Sequence, residues 1–490
     1  MKRVFISNLV FLVGLNLLVK PFYLLFVETE IQNRAGKENF GLYFALINFS
    51  FILNIIPDLG TANRNTRIIA HDGVINARQF KRMMMLRLAL AGLYVVISAI
   101  ASILLHYSTE QLIMLSVLVF NQIISAFILY LRSYLSGMHL FKQDSIISIL
   151  DRLLLTIFMV CVLLSTDDSY FNVEWLIYGQ SIAYLITLLL ALYLVVTRTS
   201  RQSAPEQVQP YSTILRESLP FAMLILISML GYRIDTVMLE RISGASEAGI
   251  YAMGFRFFEA INMVSYLFAV LLLPIFTRML SQNKDVSSIL HVGLKIIYSG
   301  TLIVSLASIF YSTEILEFVY DNNVDEASGP FTYLMLSAMF FSLQYVTGTL
   351  ITASGQMKSM IIIASAGLAL NVVVNAFTIP QYGAIGCAVT SCITQGIIFI
   401  AQLIFVFKKY NNTGIASLIT RSSAFTILCI LAAFGSGYTG LSEHHPLLLL
   451  ILFSIACFIA SLLTGMLQLN NITEIVTTRN ALSQEENPKP

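Results

Sequence analysis

Long apolar runs follow one another along almost the whole chain, separated by short polar stretches. A membrane-spanning helix needs about 20 mostly apolar residues. Fourteen segments meet that need: 4–27, 40–60, 86–106, 112–131, 145–165, 174–196, 217–239, 250–277, 289–310, 329–351, 359–379, 384–407, 423–441 and 446–467. The runs are continuous and long, whereas a transmembrane barrel would alternate in pieces of about ten residues. The pattern therefore predicts an all-α polytopic membrane protein with 14 transmembrane helices. Lys2 and Arg3 precede the first run as in a signal peptide, but 4–27 is too long for an h-region and no small-residue cleavage site follows. It is expected to be a retained helix.

The polar residues orient these helices. Short cytoplasmic loops carry an excess of Lys and Arg. With the N-terminus inside, the inner segments 1–3, 61–85, 132–144, 197–216, 278–288, 352–358, 408–422 and the tail from Gln468 hold 20 of the 29 basic residues. The outer loops hold three: Arg34, Lys37 and Arg241. A miscounted helix would invert every later loop and erase this bias, so the partition supports both count and topology, with both termini cytoplasmic. Among the polar stretches, 61–85 shows no helix signal, and 197–216, rich in Ser, Gln and Pro, suits a linker between two lobes.

The halves also repeat. Gly41-Leu42-Tyr43 after Gly36 parallels Gly249-Ile250-Tyr251 after Gly244, at an offset of 208. Ser136-Gly137 with Lys142 parallels Ser354-Gly355 with Lys358; the Ser-Gly offset is 218, so the match needs a gap. Six helices per half make this a parallel repeat about an axis along the membrane normal, an arrangement that usually places the substrate between halves. The expected organisation is 1–200 as N-lobe (helices one to six), 201–410 as C-lobe (linker and helices seven to twelve) and 411–490 as two extra C-terminal helices and a tail.

Composition narrows the class. Hydrophobic residues make up 57% and charged residues 11%, against about 25% charged in a soluble domain. This excludes a soluble enzyme, a disordered chain and a nucleic-acid binder. The net charge of +2 identifies no partner. Cys161, Cys387, Cys392, Cys429 and Cys457 all lie in apolar runs without metal-ligand spacing and read as small fillers. His444 and His445 are too weak a pair to predict a metal, and no metal or cofactor is expected.

Three blocks of residues carry a family resemblance: Asp58-Leu59-Gly60 with Arg64 and Arg67; Leu219-Pro220, Arg233-Ile234-Asp235, Gly249-Ile250-Tyr251, Arg256 and Glu259; and Asn371, Asn375, Pro380, Tyr382-Gly383, Gly386, Ala388 and Thr390. In this order and at these helix positions the chain resembles the Wzx-type oligosaccharide flippases, the polysaccharide-biosynthesis branch of the superfamily that also holds the MATE exporters and lipid II flippases. The resemblance implies two MATE-like six-helix lobes around a cleft, with helices thirteen and fourteen at the side. It also implies a substrate: an oligosaccharide on undecaprenyl pyrophosphate, moved from the inner to the outer leaflet of a bacterial cytoplasmic membrane. Glycosyltransferases and a polysaccharide polymerase would be partners, and the products would be surface glycans such as O-antigen or capsule.

An intramembrane charge is costly and therefore faces a cavity or a partner. Lys20, Arg233 and Arg256 all fall in the outer half of their predicted helices. Such a basic patch suits a pyrophosphate, which Arg binds through parallel hydrogen bonds. Asp235 and Glu259 either neutralise those arginines or form a proton or sodium site that couples transport to an ion gradient. Asp58, Arg64 and Arg67 stand at the cytoplasmic mouth, as contacts for the incoming headgroup or as ordinary anchors. Pro21 and Pro274 are candidate hinges, because proline removes a helical hydrogen bond. The intramembrane amides Asn16, Asn48, Gln122, Asn262, Gln344, Asn371 and Asn375 read mainly as glue between helices.

Three functions compete. A flippase needs no catalytic nucleophile, and none is expected. A MATE-type antiporter of cationic drugs fits poorly with a basic cleft. A membrane polymerase or ligase should carry a large outer loop with catalytic groups, and the outer loops here are short. No phosphate-binding Gly-rich loop marks an ATP-driven pump.

Overall fold

The computed structural model describes residues 14, 16, 19–72, 75–167, 170–200, 210–410, 414–437 and 446–468. Most of the first predicted span, the centre of the linker, His444, His445 and the tail lie outside the described residues. The described part is helical save for a two-residue parallel pairing of Ile75–Asn76 with Thr199–Ser200. Among the described residues, ten helices are long and apolar enough to cross a membrane. They make the chain an all-α, multi-pass membrane protein.

The chain divides into two compact units, Met1–Gly249 and Ile250–Pro490. In the first, Lys20 and Pro21 lead into a wide π-turn, Tyr23–Val27. Then come α1 (Glu28–Leu53), α2 (Thr61–Asp72), α3 (Ala77–Leu104), α4 (Thr109–Gly137), α5 (Phe141–Ser165), α6 (Glu174–Val196) and α7 (Tyr211–Ser243). The helix α8 (Ala245–Ser281) starts here and continues into the second unit, which holds α9 (Ser287–Phe310), α10 (Ser312–Glu317), α11 (Val324–Ala353), α12 (Met357–Lys409), α13 (Ile415–Gly437) and α14 (Pro446–Leu463).

The stretch 61–85 is not the signal-free loop expected from its polarity. Its first half is the short helix α2. Asp58 creates it by accepting the Gly60 and Ala62 N–H groups, each at 3.1 Å, which satisfies two of the orphan donors at the helix start. Ala62, Asn65, Thr66 and Ile69 share one helical face. Asn65 donates to Ser133 Oγ at 2.8 Å, and Ile69 lies where a side chain on Gly137 would stand. The packed face is half polar, so hydropathy alone does not reveal it.

Two predicted spans, 359–379 and 384–407, are the halves of α12, broken at Gly383 with φ 53° and ψ −133°. Pro380 lacks the N–H that would continue the first half, and Gly383 takes a backbone conformation closed to L side chains. The halves fold onto each other: Thr378 and Thr390 hydroxyls lie 3.0 Å apart, and Asn371 donates to Thr394 Oγ1 at 3.4 Å. Replacing Gly383 with Ala is expected to cost about 1–3 kcal/mol, seen as a lower melting temperature of the purified protein. With α12 counted twice, and α14 and the 37–53 part of α1 added, only the first of the fourteen predicted spans is left, and most of it lies outside the described residues.

The C-terminal helices α13 and α14 belong to the core of the second unit. Phe425, Cys429, Phe453 and Cys457 are fully buried beside Leu290 and Phe276. Tyr298 of α9 meets Thr426 of α13 at 2.8 Å.

The second repeat is present, but in a corrected register. At the end of α4 the N–H groups of His139 and Leu140 bond back to Ser136 and Leu135; at the end of α11 those of Gly355 and Gln356 bond back to Thr352 and Ile351. His139 (φ 58°) and Gly355 (φ 73°) are the left-handed residues of these two equivalent caps. The structural offset is therefore 216, which also matches Lys142 to Lys358. The Ser-Gly pair that suggested 218 is out of step by two residues.

Candidate substrate site

Each unit carries charged side chains within its apolar helices. In the first unit, Lys20 is half-buried, and Asp151, Arg152 and Arg132 lie within electrostatic reach of it. Arg132 is paired with Asp144 at 2.7 Å. The Arg152 guanidinium stands 5.1 Å from the centre of the Tyr23 ring, an attraction of cation to aromatic face. Tyr23 belongs to the π-turn that follows Pro21. The π-turn thus carries the ring that meets Arg152.

Arg233 of α7 is held by α1. Its Nη1 donates to the Asn48 side-chain oxygen, and its guanidinium stands 4.4 Å from the Phe51 ring centre and 4.9 Å from that of Tyr232. Asn48 in turn donates to the Phe44 carbonyl at 2.7 Å, which fixes its oxygen toward the arginine. Two residues on, Asp235 is buried.

Arg256 and Glu259 belong to the second unit. Arg256 is 1% exposed. Its Nη1 donates to the Tyr320 hydroxyl at 3.3 Å, and that hydroxyl donates to the Met253 carbonyl at 3.2 Å. The tyrosine thus ties the arginine to the preceding turn of its own helix. Glu259, half-buried, follows one turn later. Tyr320 lies between α10 and α11, with no periodic pattern to single it out.

The expected mouth residues are placed differently from one another. Asp58 is buried: besides capping α2, it accepts from Arg87 Nη2. Its carboxylate is engaged by the fold and does not stand open toward a headgroup. Arg87, whose role the sequence did not reveal, is 1% exposed; it also donates to the Ala126 carbonyl at 3.0 Å and to Thr61 Oγ1 at 2.9 Å, and it lies 4.2 Å from the Tyr130 ring centre. Arg64 is half-buried on α2. The side chain of Arg67 lies outside the described residues. Pro274 sits inside α8, which runs through it as one helix.

The amides join helices. Asn16 donates to Ser148 Oγ at 3.2 Å, and Asn54 to Gln122 at 3.1 Å. Tyr345 donates to Asn262 at 2.7 Å, and Gln344 to the Gln395 side chain at 2.8 Å. All five cysteines are free thiols, and no cluster of three metal-ligating side chains occurs among the described residues.

An apolar cavity of about 460 Å³ lies in the second unit, among α9, α11, α12 and α13. Leu294, Tyr298, Phe340, Leu403, Ile419 and Thr426 contribute to its wall.

Solved structures share this architecture. The lipid II flippase MurJ in an inward closed conformation aligns with a TM-score of 0.65 at 16% identity, covering 94% of this chain and 98% of its own. An inward-facing multidrug resistance MATE family transporter of the MOP superfamily aligns with a TM-score of 0.60 at 14% identity, covering 81% and 95%. A MOP superfamily transporter from Pyrococcus furiosus, described as having a binding pocket of reverse polarity, gives a TM-score of 0.56 at 16% identity over 84% and 96%. At such identities the likeness is one of fold. An uncharacterized membrane protein of Methanocaldococcus jannaschii is 23% identical over 253 residues, 48% of each chain. The chain thus spans about half the length of that curated relative. The family described as polysaccharide biosynthesis protein matches residues 6–280. That match takes in more than half of the chain and two of the three residue blocks that suggested a Wzx-like flippase. On this ground, and with the MATE-like fold, the chain belongs to the polysaccharide biosynthesis protein family.

Proposed function

We propose that the protein is a flippase that moves an undecaprenyl pyrophosphate-linked oligosaccharide from the inner to the outer leaflet of a bacterial cytoplasmic membrane. The reading rests on the family match and on the fold shared with transporters and flippases. The observation that carries the substrate class is the set of cations kept inside apolar helices: Lys20 beside Arg152, Arg233 against Asn48, and Arg256 on Tyr320. A cation there costs free energy, and a pyrophosphate headgroup is the ligand that would repay it. Lys20, Arg233 and Arg256 are the proposed headgroup contacts. The apolar cavity of the second unit offers a wall of the kind a polyprenyl tail needs. The lobes would be 1–200 and 201–410, with the two further helices of 411–490 packed into the core of the second unit and both termini cytoplasmic. Surface glycan assembly, such as that of O-antigen or capsule, is the process served, beside glycosyltransferases and a polymerase.

Purified protein in liposomes tests this reading. It should move a fluorescent undecaprenyl pyrophosphate saccharide between leaflets and leave cationic dyes in place. Dye efflux without movement of the pyrophosphate lipid would mean a MATE-type antiporter instead, and lengthening of the glycan would mean a polymerase. Coupling through Asp235 or Glu259 predicts that Asp235→Asn or Glu259→Gln removes the dependence of flipping on a proton or sodium gradient. A gradient dependence unchanged in both variants rejects that assignment.

A further inference from the structure

The repeated glycines of the sequence meet in space. Gly36 inside α1 has φ 77° and ψ 162°, and its counterpart Gly244 between α7 and α8 has φ 93° and ψ 170°. Each breaks the helix with a residue that can take positive φ. Five residues after each break comes a second glycine. A Cβ on Gly41 would fall 1.9 Å from the Ala245 carbonyl oxygen and 2.5 Å from the Gly249 nitrogen. A Cβ on Gly249 would fall 1.9 Å from the Lys37 carbonyl oxygen and 2.9 Å from the Lys37 Cα. Lys37 and Ala245 are related by the same offset of 208 as the glycines. The contact is therefore reciprocal: each glycine lies against the carbonyl five residues after the other repeat's equivalent of Gln32, as an isologous interface requires.

Backbone meets backbone here with no side chain between. Such approach is open only to glycine, and it fastens helices by close packing. One side chain reinforces it: Gln32 donates to the Gly249 carbonyl at 2.8 Å. The equivalent of Gln32 is Glu240, which is engaged by Arg241. The clasp is thus symmetric in backbone, with Gln32 tied to it from the α1 side.

We infer that residues 36–41 and 244–249 form a two-fold clasp that holds α1 to the start of α8, at the end that the charge bias places outside, and that parts during the transport cycle. The cycle rests on the flippase reading; the clasp itself does not.

The test uses full-length protein with its five cysteines replaced and a single reporter, Ala248→Cys, at a fully buried position beside the contact. Labelling by a membrane-impermeant maleimide added from outside should be slow. In Gly41→Ala and in Gly249→Ala it should rise about tenfold, as the added methyl shifts the population toward the parted state. Because both changes break one contact, the double variant should label no faster than the faster single one. Gly231→Ala, where a Cβ meets open space, should label as slowly as the parent. Gln32→Leu adds no bulk between the glycines and should raise labelling by a smaller factor; it decides the matter if the alanine variants fail to insert. Unchanged labelling in every inserted variant, or additive effects in the double one, overturns the clasp. If the parent protein moves no lipid-linked saccharide, the flippase reading falls, while the labelling still decides the clasp.

Discussion

Arg87→Leu should prevent stable assembly of the first unit. The guanidinium is 1% exposed and satisfies three acceptors: the Asp58 carboxylate, Thr61 Oγ1 and the Ala126 carbonyl. Removing it leaves Asp58 as a buried carboxylate without its cation. Breaking one side of a buried pair costs about 3–5 kcal/mol, far more than the net worth of the intact pair. That is a large part of a typical folding stability of about 5–15 kcal/mol. The loss should appear as poor insertion and a lower melting temperature. A second substitution separates the charge from the shape. Asp58→Asn removes the charge and keeps one of the two oxygens that accept the Gly60 and Ala62 N–H groups, so it still caps α2. The double variant Arg87→Leu with Asp58→Asn should therefore recover part of the stability lost in Arg87→Leu. Equal loss in both would show that the arginine acts through packing on Tyr130 and not through the carboxylate.

This pair shows what a sequence can and cannot disclose. The spans were legible because a bilayer demands long apolar runs, and no arrangement of neighbours relaxes that demand. The lateral partners of a charge obey no such rule. Asp58 reads equally as a mouth residue or as a cap, and only the return of α3 beside α4 brings Arg87 onto it. Asn48 and Tyr320 likewise gain their meaning from arginines 185 and 64 residues away. Arg152 meets the ring of Tyr23, which sits in the π-turn after Pro21, and periodicity does not report a π-turn. The glycine repeat was legible as a pattern and mute as to purpose. Its purpose lies in carbonyls placed opposite each Cα, which a one-dimensional string does not contain. Helix ends were the weakest feature. Span prediction stops where polarity starts, yet α7 and α8 run on to Ser243 and Ser281 as polar helix.

Arg256→Ala should abolish export of surface glycan while leaving the protein in the membrane. The expectation depends on what the buried guanidinium does beyond holding Tyr320. If its role is only to pin the tyrosine, Tyr320→Phe should match the alanine variant, since the phenylalanine ring cannot accept the bond from Nη1. The bond is neutral at the acceptor, and a single hydrogen bond of this kind contributes about 0.5–1.5 kcal/mol net, more when the donor is charged. Export should then fall only a few-fold in Tyr320→Phe. A headgroup contact predicts a wider gap. Two parallel hydrogen bonds to a phosphate need the planar guanidinium fork, so Arg256→Lys should restore little export even though it restores the charge. The decisive pattern is thus near-complete loss in Ala, slight recovery in Lys and a mild defect in Tyr320→Phe, all at equal amounts of inserted protein. Full recovery in Arg256→Lys would reduce the residue to a point charge, and normal export in Arg256→Ala would remove it from the substrate site. The same three variants, assayed for binding of undecaprenyl pyrophosphate in detergent, separate loss of the headgroup contact from loss of the conformational step. A contact residue weakens binding and export together; a residue needed only for the cycle leaves binding intact.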